Sequence, residues 1–342
     1  PAPAPAPAPA SNVIQVGPNR TVKTLREAAS LAKDGSVLEI DAGTYRGDVA
    51  VFTQQNLTIR GVGGRPIFDA NGASAEGKAI MVLRGDNMII DNIEFTNCRV
   101  PDKNGAGIRH ESGKLVVKNS VFRDNEMGLL TGSIESATLD VQNSQFFRNG
   151  YGDGYSHNLY VNHIGRFTVT GSYFSAANNG HLLKSRAKES YIINNRLTDE
   201  AGGNASYELD LPDGGISYVI GNLIVQGPNS PNRTIVSFAA ENLYWPTNSL
   251  ILAHNTIANE RAAGCTFVRA PAGTTATLVN NVYVGSGCDM QISGVVDKSQ
   301  DVQADTSEFV NASAYDYRLR ATSRLVGTAP AAGSANGVSL AP

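Results

Sequence analysis

Between residues 155 and 213 the chain gathers side chains able to move protons and hold charge: Tyr155, His157, Tyr160, His181, Lys184, Arg186, Tyr207, Glu208, Asp210 and Asp213. β-Elimination on a uronate sugar needs a cation on the carboxylate, a base for the neighbouring carbon-bound proton and an acid for the leaving oxygen. Lys184, crowded by the like charge of Arg186, is the candidate base. Arg186 or Arg109 is the candidate carboxylate clamp, and Tyr160 or His157 the candidate proton donor. Asn158, Asn162, Tyr155, His181 and Tyr207 are expected to line the substrate, while His157 and His181 also read as structural histidines at corners of the fold. Glu208, Asp210 and Asp213 supply hard oxygen ligands, so a Ca²⁺ ion held by them is an alternative clamp. No other cofactor is expected.

Two further readings use the same residues. Glycoside hydrolysis needs two carboxylates roughly 5–9 Å apart, for which Glu208 with Asp210, or Asp153, are candidates. Lysine and arginine beside them favour an anionic polymer and would hold both acids ionised. A carbohydrate-binding or surface-structural protein needs no reacting residue at all.

These residues lie far apart in the chain, so a repeat must bring them together. An alternating apolar run, a small or amide residue and a second apolar pair recur in nine phrases, among them MIIDNIEF (88–95), LVVKNSVF (115–122), LDVQNSQF (139–146) and YVIGNLIV (218–225). Taking Asn92, Asn119, Asn143, Gly171, Asn195, Asn222, Asn255 and Asn281 as one column gives steps of 27, 24, 28, 24, 27, 33 and 26 residues. A period in the twenties that drifts by loop insertion is the mark of a coiled β-solenoid, and stacked amides can hydrogen-bond along its axis. Each coil carries another strand between phrases, including HNLYVNHI (157–164), GHLLKSRA (180–187) and SYELDLPD (206–213). Alternation there points Leu159, Leu183 and Leu209 inward, with Val161, Ser185 and Leu211. Tyr160, Lys184 and Asp210 then stack outward, flanked by Asn158, Leu182 and Glu208 on one side and by Asn162 and Arg186 on the other. Arg109 extends the column two coils earlier.

The fold class is therefore all-β, a right-handed parallel β-helix (solenoid) with an N-terminal capping helix over residues 21–34, where Val22, Leu25, Ala28, Ala29 and Ala32 form an apolar stripe. That helix followed by SVLEIDAGTYRGD (36–48) resembles the opening of pectin-lyase-like β-helix proteins, and FVNASAYDYRLRATSRLVGTA (309–329) resembles their closing segment. HLLKSRAKESYIINN (181–195) resembles the lysine-bearing coil of alginate and chondroitin lyases, which implies Lys184 as base. Those lyases place an arginine on the following coil, where this chain has YELDLPDGG.

Composition sets the remaining bounds. The 342 residues include 35 glycines and 15 prolines, with 17% charged residues and a net charge of −3. With no basic cluster, nucleic acid is not an expected partner; an acidic polysaccharide is, with the protein as a monomer. No apolar run reaches the length of a transmembrane helix. PAPAPAPAPA opens residues 1–11, a Pro/Ala-rich tether unable to pack, ahead of a single domain over 12–342. It resembles the tethers of exported bacterial proteins, so a periplasmic, cell-surface or secreted location is expected. Of Cys98, Cys265 and Cys288, none has metal-type spacing. Cys265 and Cys288 lie one repeat apart, near enough to bridge.

Overall fold

The computed structural model describes residues 12–342, and the tether expected at 1–11 lies outside them. Each coil contributes three short parallel strands, because the recurring phrase breaks at its amide turn into two. Sheet I has ten strands, from Ala50–Phe52 to Asp289–Ile292; sheet II has twelve, from Val13–Val16 to Val295–Ser299; sheet III has eleven, from Thr44–Arg46 to Val302–Ala304. The chain runs from sheet I to II to III and back, and every pairing within the three sheets is parallel between successive coils.

The turn between sheets II and III corrects the amide column by one residue. Asn92, Asn119, Asn143 and Gly171 hold the left-handed position of the turn, with φ of 57°, 53°, 48° and 58°. Asparagine and glycine suit that conformation because a bulkier or β-branched side chain is strained there. In later coils this position passes to Asn194, Gly221, His254 and Asn280. Asn195, Asn222, Asn255 and Asn281 are the next residue along and point inward. There Asn195 Nδ2 donates to Asn222 Oδ1 (3.1 Å), Asn222 to Asn255 (3.0 Å) and Asn255 to Asn281 (2.9 Å). Serines continue the ladder in earlier coils, where the Ser120 and Ser144 N–H groups donate to the Ser144 and Ser172 hydroxyls.

Inside, residues in register make columns of like side chains. Tyr45, Phe68, Phe95, Phe122, Phe146 and Phe174 stack behind sheet III with ring centroids 4.6–6.3 Å apart. The expected helix is shorter than its apolar stripe, Leu25–Leu31, because Thr24 and Glu27 form a capping box that starts it there. Leu25 and Ala28 are fully buried, closing the open end of the core. At the other end Cys265 and Cys288 are bridged. The closing segment turns back over two outer walls: Phe309, Tyr317 and Leu325 cover Val225, Ala258 and Val284 of sheet III, and Leu340 covers Tyr218, Ile251 and Ala253 of sheet II.

Candidate functional site

Sheet I faces outward over one column that the register fixes residue by residue: Arg109, Leu130, Tyr160, Lys184, Asp210, Ser237, Arg269. Leu159, Leu183 and Leu209 point inward with no exposure, as alternation requires. The stacked trio Tyr160, Lys184 and Asp210 therefore lies where the repeat places it.

A cleft of about 480 Å³ opens over this column, lined by Tyr155, His157, Tyr160, His181, Lys184, Arg186, Tyr207 and Asp210, and by Ser237, Glu241 and Arg269. One wall is the loop carrying Tyr155, which is 82% exposed at the rim. The opposite wall is the segment 239–248, which leaves sheet I and folds back over earlier coils. Trp245 Nε1 donates to the Arg186 carbonyl (3.0 Å), Asn242 to Asp213 Oδ1 (3.2 Å) and Tyr244 Oη to Glu135 (3.3 Å). That segment delivers Glu241, which the sequence reading had not singled out.

Two ion networks organise the floor. Arg186 donates to Tyr160 Oη (2.9 Å), Asp213 Oδ2 (2.6 Å) and Glu241 Oε2 (2.7 Å). Burial opposes its charge, but the bonds to Asp213 and Glu241 outweigh that and raise its pKa above the ordinary arginine value. Arg186 and Lys184 share the Glu241 carboxylate, one on each oxygen, so an acid stands between the two like charges. Lys184 Nζ lies 3.4 Å from Asp210 and 3.3 Å from Glu241, the surroundings of a cation. Burial alone would raise Asp210, but His181, Lys184 and Ser237 overcome it and hold the carboxylate below the usual range.

The imidazoles lie against one another at a tilt of 37°, with His157 and His181 ring centroids 4.3 Å apart. The His181 N–H donates to His157 Nδ1 (3.0 Å). That bond assigns the His157 proton to Nε2. Burial, then the neighbouring His181 ring and the positive charges of Lys184 and Arg186, push its pKa well down. His181 Nδ1 is sealed 3.2 Å from Asp210 Oδ2, close but off the direction of a good hydrogen bond. Its pKa is also lowered, by burial against the pull of Asp210. With Nδ1 sealed, Nε2 is the nitrogen left for a bound molecule.

Several expected roles change. Asn158 is fully buried and donates to the Ser175 carbonyl (2.9 Å), while its Oδ1 accepts from Asn149 (2.9 Å). It belongs to a second amide ladder at the corner entering sheet I, not to the substrate wall. Leu182 and Glu208, expected beside it on the outside, are likewise fully buried, because the entering loops fold over that row. Asn162 does not line the cleft; its Oδ1 accepts from the His163 N–H (3.0 Å). Arg109 sits on the column but beyond the cleft, separated from Tyr160 by Leu130.

The carboxylates do not converge on a cation. Glu208 is sealed against Gln226, and burial raises its pKa well above the usual range. Asp210 is engaged by His181 and Lys184, and Asp213 by Arg186 and by His163 Nε2 at 2.7 Å. Among the described residues no three His, Cys, Asp or Glu form a metal-holding group, so these three do not fit the Ca²⁺ site expected of them. The hydrolase pair fails for the same reason: Glu208 does not reach the cleft, Asp210 is held ionised, and Asp153 accepts from the Tyr155 N–H (3.0 Å) in its own loop.

Comparison with known proteins bears on the fold. A family model described as a right handed beta helix region matches residues 33–197. Pectate lyase Pel9A superposes with a TM-score of 0.65 at 15% identity, over 92% of this chain and 88% of that one. A GH136 lacto-N-biosidase from Eubacterium ramulus gives 0.47 at 12% identity, over 85% and 67%. ORF18 of Geobacillus virus E2 gives 0.47 at 13% over 79% of this chain, which spans 53% of its length. No curated protein matches in sequence. The chain is a right-handed parallel β-helix with the pectin-lyase-like fold.

Proposed function

We propose that the protein is a polysaccharide lyase that cleaves an acidic, uronate-containing polymer by β-elimination in the sheet I cleft. The observation that carries this reading is a neutral imidazole, His181, backed by Asp210 and opening into the same cleft as Lys184 and Arg269. Lys184 neutralises the uronate carboxylate, which stabilises charge developing on it as the neighbouring proton leaves. His181 Nε2 takes that proton, the role first given to Lys184. The carbon–hydrogen electrons form the new carbon–carbon double bond as the bond to the leaving oxygen breaks. Tyr160 Oη accepts from Arg186, so its own proton is free to pass to the leaving oxygen, and the guanidinium stabilises the phenolate. His157, neutral with its proton on Nε2, offers a hydrogen bond to the substrate rather than a proton. Tyr155 and Tyr207 supply aromatic faces for sugar rings. The bridged Cys265–Cys288 pair suits an oxidising compartment, which supports export.

The test is incubation of the full chain with a panel of uronate polymers, following ultraviolet absorbance of unsaturated ends. Absorbance that appears with the native chain and is lost in His181→Ala supports the assignment. Reducing ends without absorbance would mean hydrolysis, and retention without cleavage a binding protein; either overturns it.

A further inference from the structure

We infer that sheet I reads its ligand over seven coils, through Arg109 and Arg269 placed three coils to either side of Lys184, and so selects an acidic polysaccharide that turns a carboxylate to the wall at every third sugar. This rests on the acidic-polymer reading of the cleft and adds to it the spacing of the recognised charges.

The register leaves no freedom in that spacing. Arg109 pairs with Leu130, Leu130 with Tyr160 and Tyr160 with Lys184; Lys184 pairs with Asp210, Asp210 with Ser237 and Ser237 with Arg269. Three coils span about 14 Å, and an extended pyranose chain advances by roughly one coil height per sugar. Sugars facing Arg109, Lys184 and Arg269 are then the first, fourth and seventh of a bound stretch.

Their pairing separates the two flanking arginines from basic residues on the outer faces of sheets II and III. Arg60, Arg123 and Arg166 each hold a carboxylate at 2.6–2.7 Å. Arg269 makes no ion pair and donates no side-chain hydrogen bond among the described residues, and it lines the cleft. Arg109 faces one carboxylate, Glu111, at 3.7 Å, beyond hydrogen-bond reach, and its Nε is buried without a partner. Glu111 is already engaged by Lys78 (2.9 Å) and Arg84 (2.8 Å). Both arginines therefore keep charge that the protein does not neutralise, on the one column that runs through the cleft.

The test uses the full chain carrying His181→Ala, so that binding is read without turnover, and calorimetry with three probes: fully acidic uronate oligomers of three and seven sugars, and a seven-sugar oligomer methyl-esterified except at its first, fourth and seventh sugars. Added Arg109→Gln or Arg269→Gln should each weaken both seven-sugar probes about three- to fivefold and leave the three-sugar probe unchanged. Arg166→Gln, the same charge loss on sheet II, should alter none of them. The esterified oligomer should bind like the fully acidic one if the register is three sugars, whether in nature the polymer coils threefold or carries one acid in three; a uniformly acidic polymer and a sparsely acidic one, cleaved by the native chain, distinguish those sources. Equal binding of three- and seven-sugar oligomers, or Arg109→Gln and Arg269→Gln behaving like Arg166→Gln, overturns the inference. Length-dependent binding with no unsaturated ends from the native chain leaves this inference standing and removes elimination. Absence of binding by every acidic oligomer removes both.

Discussion

Sheets I and II are built by the same coils, yet their outer faces differ in how charge is handled. On sheet II, Arg60 with Glu39, Lys118 with Asp91 and Arg166 with Glu189 are direct partners in register on adjacent coils. These are ordinary exposed ladders; the Arg166 side chain is 57% exposed. On sheet I only Lys184 with Asp210 keeps to the register in the cleft, and the pairs of Arg186 leave it. Arg186 is 14% exposed and bound to Asp213, 2% exposed, and to Glu241 from the returning segment 239–248. Stacking alone makes a solvated wall; loops that close over it turn the same stacking into a site with neutral imidazoles and unspent arginines.

The contrast can be broken most sharply at His181. His181→Ala is expected to lower kcat/KM for elimination by about 10²–10⁴, with unchanged circular dichroism; an active variant would make sheet I another solvated wall. Because burial lowers the His181 pKa below 6.5, the acid limb of kcat/KM should lie below pH 6.5. Next comes stability. Arg186→Met takes the guanidinium from buried Asp213, leaving it only His163 and Asn242, and should cost about 3 kcal/mol in denaturant titration.

The inner side of sheet I offers a third measurement. His110 is 1% exposed, neither ring nitrogen has a hydrogen-bond partner, and burial lowers its pKa from 6.5 to about 4. The unfolded chain binds this proton more tightly, so stability is full above pH 6.5 and falls as pH drops toward 4. The loss from this group is of order 3 kcal/mol, and His110→Leu should flatten that part of the profile. Smallest is Arg166→Met on sheet II, expected to change stability by at most about 1 kcal/mol; a loss equal to that of Arg186→Met would erase the contrast between the walls.

Much of this was legible in the residues. Period and alternation placed Leu159, Leu183 and Leu209 inside and Tyr160, Lys184 and Asp210 outside, since both follow from local pleat and a regular repeat. Alternation failed for Asn158, Leu182 and Glu208, where outward positions are covered by loops, which a two-residue period cannot register. Glu241 was hidden for the same reason. Its one signal is the step of 33 residues between Asn222 and Asn255, the longest in the series, which marks an inserted segment. Arg269 was within reach of the counting that found Lys184, had the column been carried through CTFVRAP (265–271). The mixed amide column shows the converse: two neighbouring turn positions both favour asparagine, one for its backbone and one for its side chain, and composition alone does not separate them.

The returning C-terminal segment bears on how the molecule comes apart. Stacked arrays fray from their terminal repeats, because an end unit has one neighbour instead of two. Here Tyr191 and Ile193 pack against the cluster that Leu340 completes, and Arg196 donates to the Tyr315 carbonyl (3.0 Å). The last coils are buckled to coils near the middle, so peeling the end also strips the centre. Thermal melting of this half should register as one cooperative step, with the cleft opening in the same event.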